Sequence, residues 1–178
     1  MFGIQSAQFR LRLVKHHKDM FYLAFSWCNN HDIAQDITQE AMEKALRKRQ
    51  QLNNPEAIRP WLATILSNCW KDHLRKQKTF EDFDSIEFID DRTPEIDIAR
   101  DEVCRKVRQG IKHLPNKQRM VITLVDIFEL RYAEVAEILQ IPSGTVMSRL
   151  SRARASLKND LIEYKEITEN TTTTWRAK

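Results

Sequence analysis

Apolar residues recur at helical spacing along most of this chain. Phe9, Leu13, Met20, Phe21, Ala24 and Trp27 mark a helix from Phe9 to Cys28, broken by Asn29-Asn30-His31. Ile33, Ile37, Ala41 and Ala45 form the inward stripe of a second, from Asp32 to about Gln50, whose other face carries Asp36, Gln39, Glu40 and Glu43. Glu40 with Lys44 and Glu43 with Arg47 are i,i+4 pairs in the favourable order. After a polar loop from Gln51 to Asn54, Asn54-Pro55-Glu56 reads as a helix start with Asn as N-cap and Pro first in the helix. Pro60 interrupts it, so the pattern predicts a short turn and then a helix from Trp61 to about Gln77. Leu62, Ile65, Leu66, Cys69 and His73 are its buried stripe; Thr64, Asn68, Lys71 and Arg75 lie on another face.

Residues 79–92 hold acids and scattered aromatics without a period and read as a mobile linker. Thr93-Pro94-Glu95 starts a helix continued by Ile96, Ala99, Val103, Val107 and Ile111 to His113, where Pro115 stops it. Lys117 to Phe128 is the next, with Val121, Leu124 and Val125 inward. There is no strand signal and no internal repeat. The fold class predicted is all-α: two small helical domains at 8–79 and 94–163, a flexible acidic linker at 80–93, and a disordered tail at 164–178.

Tyr132 to Leu157 has the sequence form of a helix-turn-helix. Val135, Ala136, Ile138 and Leu139 give the first helix, Gln140-Ile141-Pro142-Ser143 the break, and Gly144-Thr145-Val146 opens the second, with Ser143 expected to cap it. Val146, Leu150 and Ala153 should pack on Val135 and Leu139, leaving Met147, Ser148, Ser151 and Arg152 on one exposed side. A helix of this kind enters the major groove, where an arginine such as Arg152 held bidentate on guanine is worth ~1–3 kcal/mol of discrimination. Arg149, Arg154 and Lys158 lie toward the flanks and suit phosphates. A solvated basic face would show the same spacing; the Pro142-Ser143 break and the small Ala136 favour DNA. Gln140 stands where the turn requires a positive φ, at a cost of about 1 kcal/mol relative to glycine.

Charge sharpens this picture. The 178 residues carry a net +4, with a pI near 9.0. The distribution says more: Lys71–Lys78 and Arg149–Lys158 are basic, and Phe80–Asp101 between them is acidic. Cys28, Cys69 and Cys104 are widely spaced and form no framework, which fits a reducing cytoplasm. Cys28 and His31 have a metal-ligand spacing but no second pair, so small buried hydrophobes on helices are the reading. No cofactor is expected. Nucleophile–base spacing, a phosphate loop and paired metal motifs are all lacking, which argues against an enzyme. Neither a signal peptide nor a bilayer-length apolar run is seen, so no membrane insertion is expected.

The series of motifs resembles the extracytoplasmic-function subfamily of bacterial sigma-70 factors. Leu114-Pro115-Asn116-Lys117-Gln118-Arg119, Tyr132–Leu139 and Gly144–Arg154 resemble region 4; Asp36-Ile37-Thr38-Gln39-Glu40 is similar to region 2.2; Trp61-Leu62 with Ile65, Asn68, Asp72 and Arg75 is similar to regions 2.3 and 2.4. The resemblance implies a cytoplasmic protein that binds core RNA polymerase, directs it to a promoter and opens the DNA. It implies that Asp36, Gln39, Glu40 and Glu43 dock on the β′ clamp helices, with the β flap as a further contact, and that an anti-sigma protein is a partner. For the −10 element it implies Asn53, Trp61, Asn68, Lys71, Arg75 and Lys76; for the −35 element, Ser143, Thr145, Met147, Ser148, Arg149, Ser151, Arg152 and Arg154. Three departures stand out: Arg131 in place of a capping Ser or Thr, Gln140 in place of the turn glycine, and Met147 and Ser151 at base-facing positions. The loop before Trp61 also lacks the aromatic many relatives carry. A stand-alone helix-turn-helix regulator binding duplex DNA as a dimer is the alternative.

Overall fold

The computed structural model describes the backbone of residues 2–77 and 102–175, and side chains for 7–77, 106–160 and 162. Among the described residues seven α-helices follow in order: α1 Phe2–Cys28, α2 His31–Arg47, α3 Ile58–Gln77, α4 Glu102–His113, α5 Asn116–Ile122, α6 Tyr132–Leu139 and α7 Ser143–Trp175. No strand occurs among the described residues. The predicted acidic linker, the Thr93-Pro94 start and the inward Ile96 and Ala99 lie outside them.

α1, α2 and α3 close the first core around Met20, Leu23, Trp27, Ile37, Leu62 and Leu66. Asn30 caps α2, its side-chain oxygen accepting from Ile33 N–H at 2.9 Å. α2 ends at Arg47 rather than Gln50, and a 3₁₀ turn covers Arg49–Gln51. Asn54 caps as expected, accepting from Glu56 N–H at 3.0 Å. Pro60 does not interrupt the next helix. It falls in the first turn of α3, where no intrahelical partner awaits an N–H, so α3 begins at Ile58.

The second group departs further from the expected pattern. α5 stops at Ile122, and Thr123–Ile127 forms a wider, π-helical turn. The Thr123 hydroxyl, fully buried, donates back to the carbonyls of Arg119 (2.8 Å) and Met120 (3.1 Å), while Phe128 N–H reaches the Thr123 carbonyl at 2.9 Å. A hydroxyl that competes for the preceding turn in this way loosens an α-helix, and hydrophobic periodicity does not register it. Gly110 lets α4 lie close on α7, since a Cβ there would meet Leu157 at 2.6 Å. α7 continues as helix to Trp175, past the boundary expected at 164. No glycine or proline follows Gly144 in it, and propagation adds a hydrogen bond per residue once a helix has started.

The two groups also meet. Ser67 and Thr123, two of the three fully buried polar residues described, lie on the seam between them. The Trp27 indole N–H donates to Thr123 Oγ1 at 2.8 Å, and the Trp70 indole N–H to Asn116 Oδ1 at 3.3 Å. The Arg119 guanidinium donates to the carbonyls of Trp27 (2.8 Å), Lys112 (2.6 Å) and Leu114 (2.9 Å), and Arg59 sits over the Phe128 ring at 5.3 Å.

Candidate nucleic-acid and partner interfaces

In the helix-turn-helix, α6 begins without a side-chain cap of the Ser or Thr type. Arg131 has no acceptor to offer; instead the Glu134 carboxylate accepts from Arg131 N–H at 2.8 Å, and its other oxygen pairs with the Arg131 guanidinium at 3.4 Å. The Arg131 backbone amide, and then the guanidinium, hold the Glu134 carboxyl below its ordinary pKa. At the other end Gln140 adopts φ 58°, and Ile141 N–H reaches back to the Ala136 carbonyl at 3.0 Å. This is a Schellman ending with glutamine in the place that favours glycine. Half-buried Ile141 packs on the core and anchors the turn.

α7 starts at Ser143 itself, so the expected cap is not there. The Pro142 carbonyl accepts from Thr145 and Val146 N–H at 2.8 and 3.1 Å, which puts Ser143 one position inside the helix. Val146, Leu150 and Ala153 are buried with Val135 and Leu139. Met147 (51% exposed), Ser148, Ser151 and Arg152 stand together on the open side. Ser143 is exposed, Thr145 and Arg149 are half-buried, and neither Arg149 nor Arg152 has an acidic partner among the described residues. Arg154 is different: its guanidinium grips the Asp126 carboxylate with bonds of 3.0 and 2.6 Å. Asp126 belongs to the π turn, so Arg154 braces α7 against the preceding segment.

On α3, Asn68 is exposed, and Asn53 is exposed in the loop before it. Trp61 is half-buried and packs edge-on against Phe9, ring centroids 6.2 Å apart. Arg75 is paired with Asp72, and Lys76 is exposed. Lys71 extends across the seam to the Leu139 carbonyl (3.2 Å) and the Ile138 carbonyl (3.5 Å). Burial, with Arg75 nearby, lowers its pKa.

On α2, Asp36, Gln39 and Glu43 are exposed and Glu40 is half-buried. Both i,i+4 pairs form: Lys44 to Glu40 at 2.7 Å and Arg47 to Glu43 at 3.2 Å. Beside this face an open cleft of about 580 Å³ is lined by His17, Phe21, His31, Gln39, Met42 and Leu46. Its apolar walls come from both α1 and α2, and that convergence has no signature in either helix alone. Sequence reasoning also passed over Ser67, Asp126 and the Trp27–Thr123 pair; each becomes visible only when distant segments are brought together.

Both buried thiols are poor nucleophiles. Burial pushes Cys28 up to about 11 and raises Cys69 as well. The Cys28 thiol donates to the Asn30 carbonyl at 3.2 Å, and no cluster of three metal-ligating side chains exists among the described residues.

An α-helical DNA-reading unit joined to a second helical unit with acidic and basic faces is the construction of a promoter-recognition factor. Comparisons with known proteins identify which kind. The Sigma-70 region 2 family matches residues 13–80, and the Sigma-70, region 4 family matches residues 104–157. The chain is 34% identical to the RNA polymerase sigma factor SigV of Bacillus subtilis (strain 168), over 79% of this chain and 83% of that protein. It is 32% identical to the ECF RNA polymerase sigma-E factor of Escherichia coli (strain K12), over 88% and 87%. Among solved structures it resembles the sigma factor RpoE of Bartonella quintana, crystallised with the anti-sigma factor NepR: TM-score 0.68, 25% identity, covering 86% of this chain and 96% of that one. The chain belongs to the sigma-70 family of RNA polymerase sigma factors, in its extracytoplasmic-function (ECF) subfamily. Its function is transcription initiation with RNA polymerase at promoters, and the match of region 2 sets aside the stand-alone regulator. No described helix is long and apolar enough to cross a membrane.

Proposed function

We propose that the two helical groups, residues 8–79 and 94–163, divide the work of promoter recognition. The face of α2 formed by Asp36, Gln39, Glu40 and Glu43 docks on the β′ clamp helices of core polymerase, with the neighbouring cleft taking an apolar side chain. The α3 surface from Trp61 to Lys76, with Asn53 from the preceding loop, handles the −10 element. Asn68 supplies hydrogen bonds there, and Lys71, Arg75 and Lys76 follow phosphates. The N-terminal half of α7 reads the −35 element: Met147, Ser148, Ser151 and Arg152 face bases, while Ser143, Thr145 and Arg149 lie near the backbone. Arg154 supports this helix through Asp126. The β flap is a further contact of the second group. The chain acts in the cytoplasm, performs no covalent chemistry and needs no cofactor. The complex of the Bartonella relative with its anti-sigma factor supports a similar inhibitor here.

The observation that carries this reading is the two-sidedness of α7. Its inner side is fully buried on α6 and its outer side is an open row of Met147, Ser148, Ser151 and Arg152. The test is run-off transcription from genomic promoter fragments by core polymerase with and without the protein. Specific transcripts that depend on the protein and disappear with Arg152→Ala support the proposal. A tight complex with promoter DNA in the absence of polymerase, with no transcript, overturns it.

A further inference from the structure

The exposed row on α7 is not uniform. Met147 is its one large apolar side chain, and it is 51% exposed. Its surroundings are small. In a helix a long side chain points back toward the N-terminus, over the residues three and four positions earlier. For Met147 these are Gly144 and Ser143, and a Cβ added at Gly144 would meet nothing within 4 Å. One turn further on, at i+4, stands Ser151, also exposed. Ser148 alongside turns its hydroxyl back onto its own helix, donating to the Thr145 carbonyl at 3.1 Å. On this row only Met147 and Arg152 are long enough to reach well beyond the helix surface.

An exposed thioether among polar groups gains nothing from water. The major groove presents donors and acceptors on every base edge and one apolar group among them, the C5-methyl of thymine. Methionine offers a flexible, polarizable stem that fits against a methyl, and only a weak acceptor at sulfur. Against the amine of adenine or cytosine, or the O6 and N7 of guanine, it would displace water without replacing its hydrogen bonds, and that loss is unfavourable. Met147 thus favours thymine and disfavours the other bases by one contact. Arg152 has the opposite chemistry, with two donors matched to guanine O6 and N7. The two residues are five positions apart, a rise of roughly 7.5 Å along the helix, so they meet different base pairs.

Resting on the reading of α7 as the −35 helix, we propose that Met147 is a specificity-determining residue that recognises the C5-methyl group of a thymine in the −35 element. The element this chain prefers then combines a guanine under Arg152 with a thymine under Met147, on separate base pairs. Gly144 and Ser151 add no group of their own to the contact; they leave the space in which thioether and methyl meet. A hydrocarbon contact of this size is worth about fourfold in affinity, or ~0.8 kcal/mol. Met147 therefore selects among promoters rather than deciding whether any is bound.

The test uses the full chain with core polymerase on genomic fragments that it transcribes. Each thymine of the −35 element is replaced in turn by deoxyuridine, which removes the methyl and keeps every hydrogen-bonding group. In competition run-off assays the wild type should lose about fourfold at one thymine. Met147→Ala should lose nothing further at that position and respond as wild type does elsewhere. In a selection from randomised −35 sequences, Met147→Gln should move the preference there from thymine toward adenine, because an amide pairs with adenine N6 and N7. Both variants exchange an exposed side chain for another helix former, so circular dichroism and Tm should match wild type. Three results overturn the proposal: a preferred element with no thymine at the position Met147 governs, a deoxyuridine loss that persists undiminished in Met147→Ala, or a Met147→Ala loss equal on all sequences. The last would mark a backbone or protein contact. No transcript from any fragment with core polymerase overturns the sigma-factor reading instead, and transcripts indifferent to Arg152→Ala overturn the placement of α7 on the −35 element.

Discussion

The helices α2 and α7 are both amphipathic and charged, yet they present their charges in opposite ways. On α2 two acids are already engaged, Glu40 with Lys44 and Glu43 with Arg47, while Asp36 is exposed and Gln39 stands at the edge of an apolar cleft. On α7 the row of Met147, Ser148, Ser151 and Arg152 is exposed, and Arg154 is committed to Asp126. Exposed i,i+4 pairs stabilise by only about 0.3–0.5 kcal/mol, so the α2 charges exchange partners easily. That suits a protein partner, whose apolar contacts supply affinity while rim charges set orientation. On the reading proposed above α7 has the contrary need: donors aimed before DNA arrives, with the arginine braced on Asp126 behind the open row.

Six changes would break or sharpen this contrast. The largest effect is expected from Arg119→Met. It strips donors from three carbonyls that join α5 to α1 and to the end of α4, with a loss of about 3 kcal/mol. Chemical denaturation should show the midpoint falling in both helical groups together; loss confined to the second would show that they are energetically separate. Next, Arg152→Ala should cost ~1–3 kcal/mol in −35 recognition and relax preference at one base pair. Selection from randomised promoters reads this directly, and an unchanged preference would remove Arg152 from the base-reading row. Asp126→Asn, by contrast, should weaken binding to all sequences alike, because it loosens the brace and not a base contact.

After these, Glu43→Lys should leave the melting temperature nearly unchanged, since the pair with Arg47 is exposed, while affinity for core polymerase falls about tenfold, or ~1.4 kcal/mol. Equal affinities in a fluorescence titration with core would take this face out of the interface. Gln140→Gly relieves a left-handed backbone and should stabilise by about 1 kcal/mol, raising Tm by roughly 2–4 °C without altering transcription. The smallest effect concerns acid. The Glu134 carboxyl is held below its ordinary 4.5 by the Arg131 amide, so its contribution is present above that value and is lost as pH falls through the lowered one. Glu134→Gln should flatten the acid limb of the stability profile below about pH 4.5 and leave neutral pH behaviour to the remaining cap bonds.

Much of this molecule follows from the chain read in one dimension. Helical periodicity set the stripes that are buried in α1, α2, α3 and α7, because a side chain's face on a helix depends only on its position along it. The break at Gln140–Pro142 and the open row from Met147 to Arg152 were equally legible, since turn and helix there are local. The start of α3 at Ile58, ahead of the predicted Trp61, has a local reason too: a proline breaks a helix interior but not its first turn. Other features had to wait for the tertiary structure. The π turn at Thr123 arises from a hydroxyl competing with the backbone, and its consequence, Asp126 on Arg154, joins residues far apart in sequence. Lys71 is the clearest case. The sequence makes it one of a run of basic residues suited to phosphate. Tertiary packing alone brings it to the end of α6, because the unpaired carbonyls of a helix terminus take whatever donor the fold delivers.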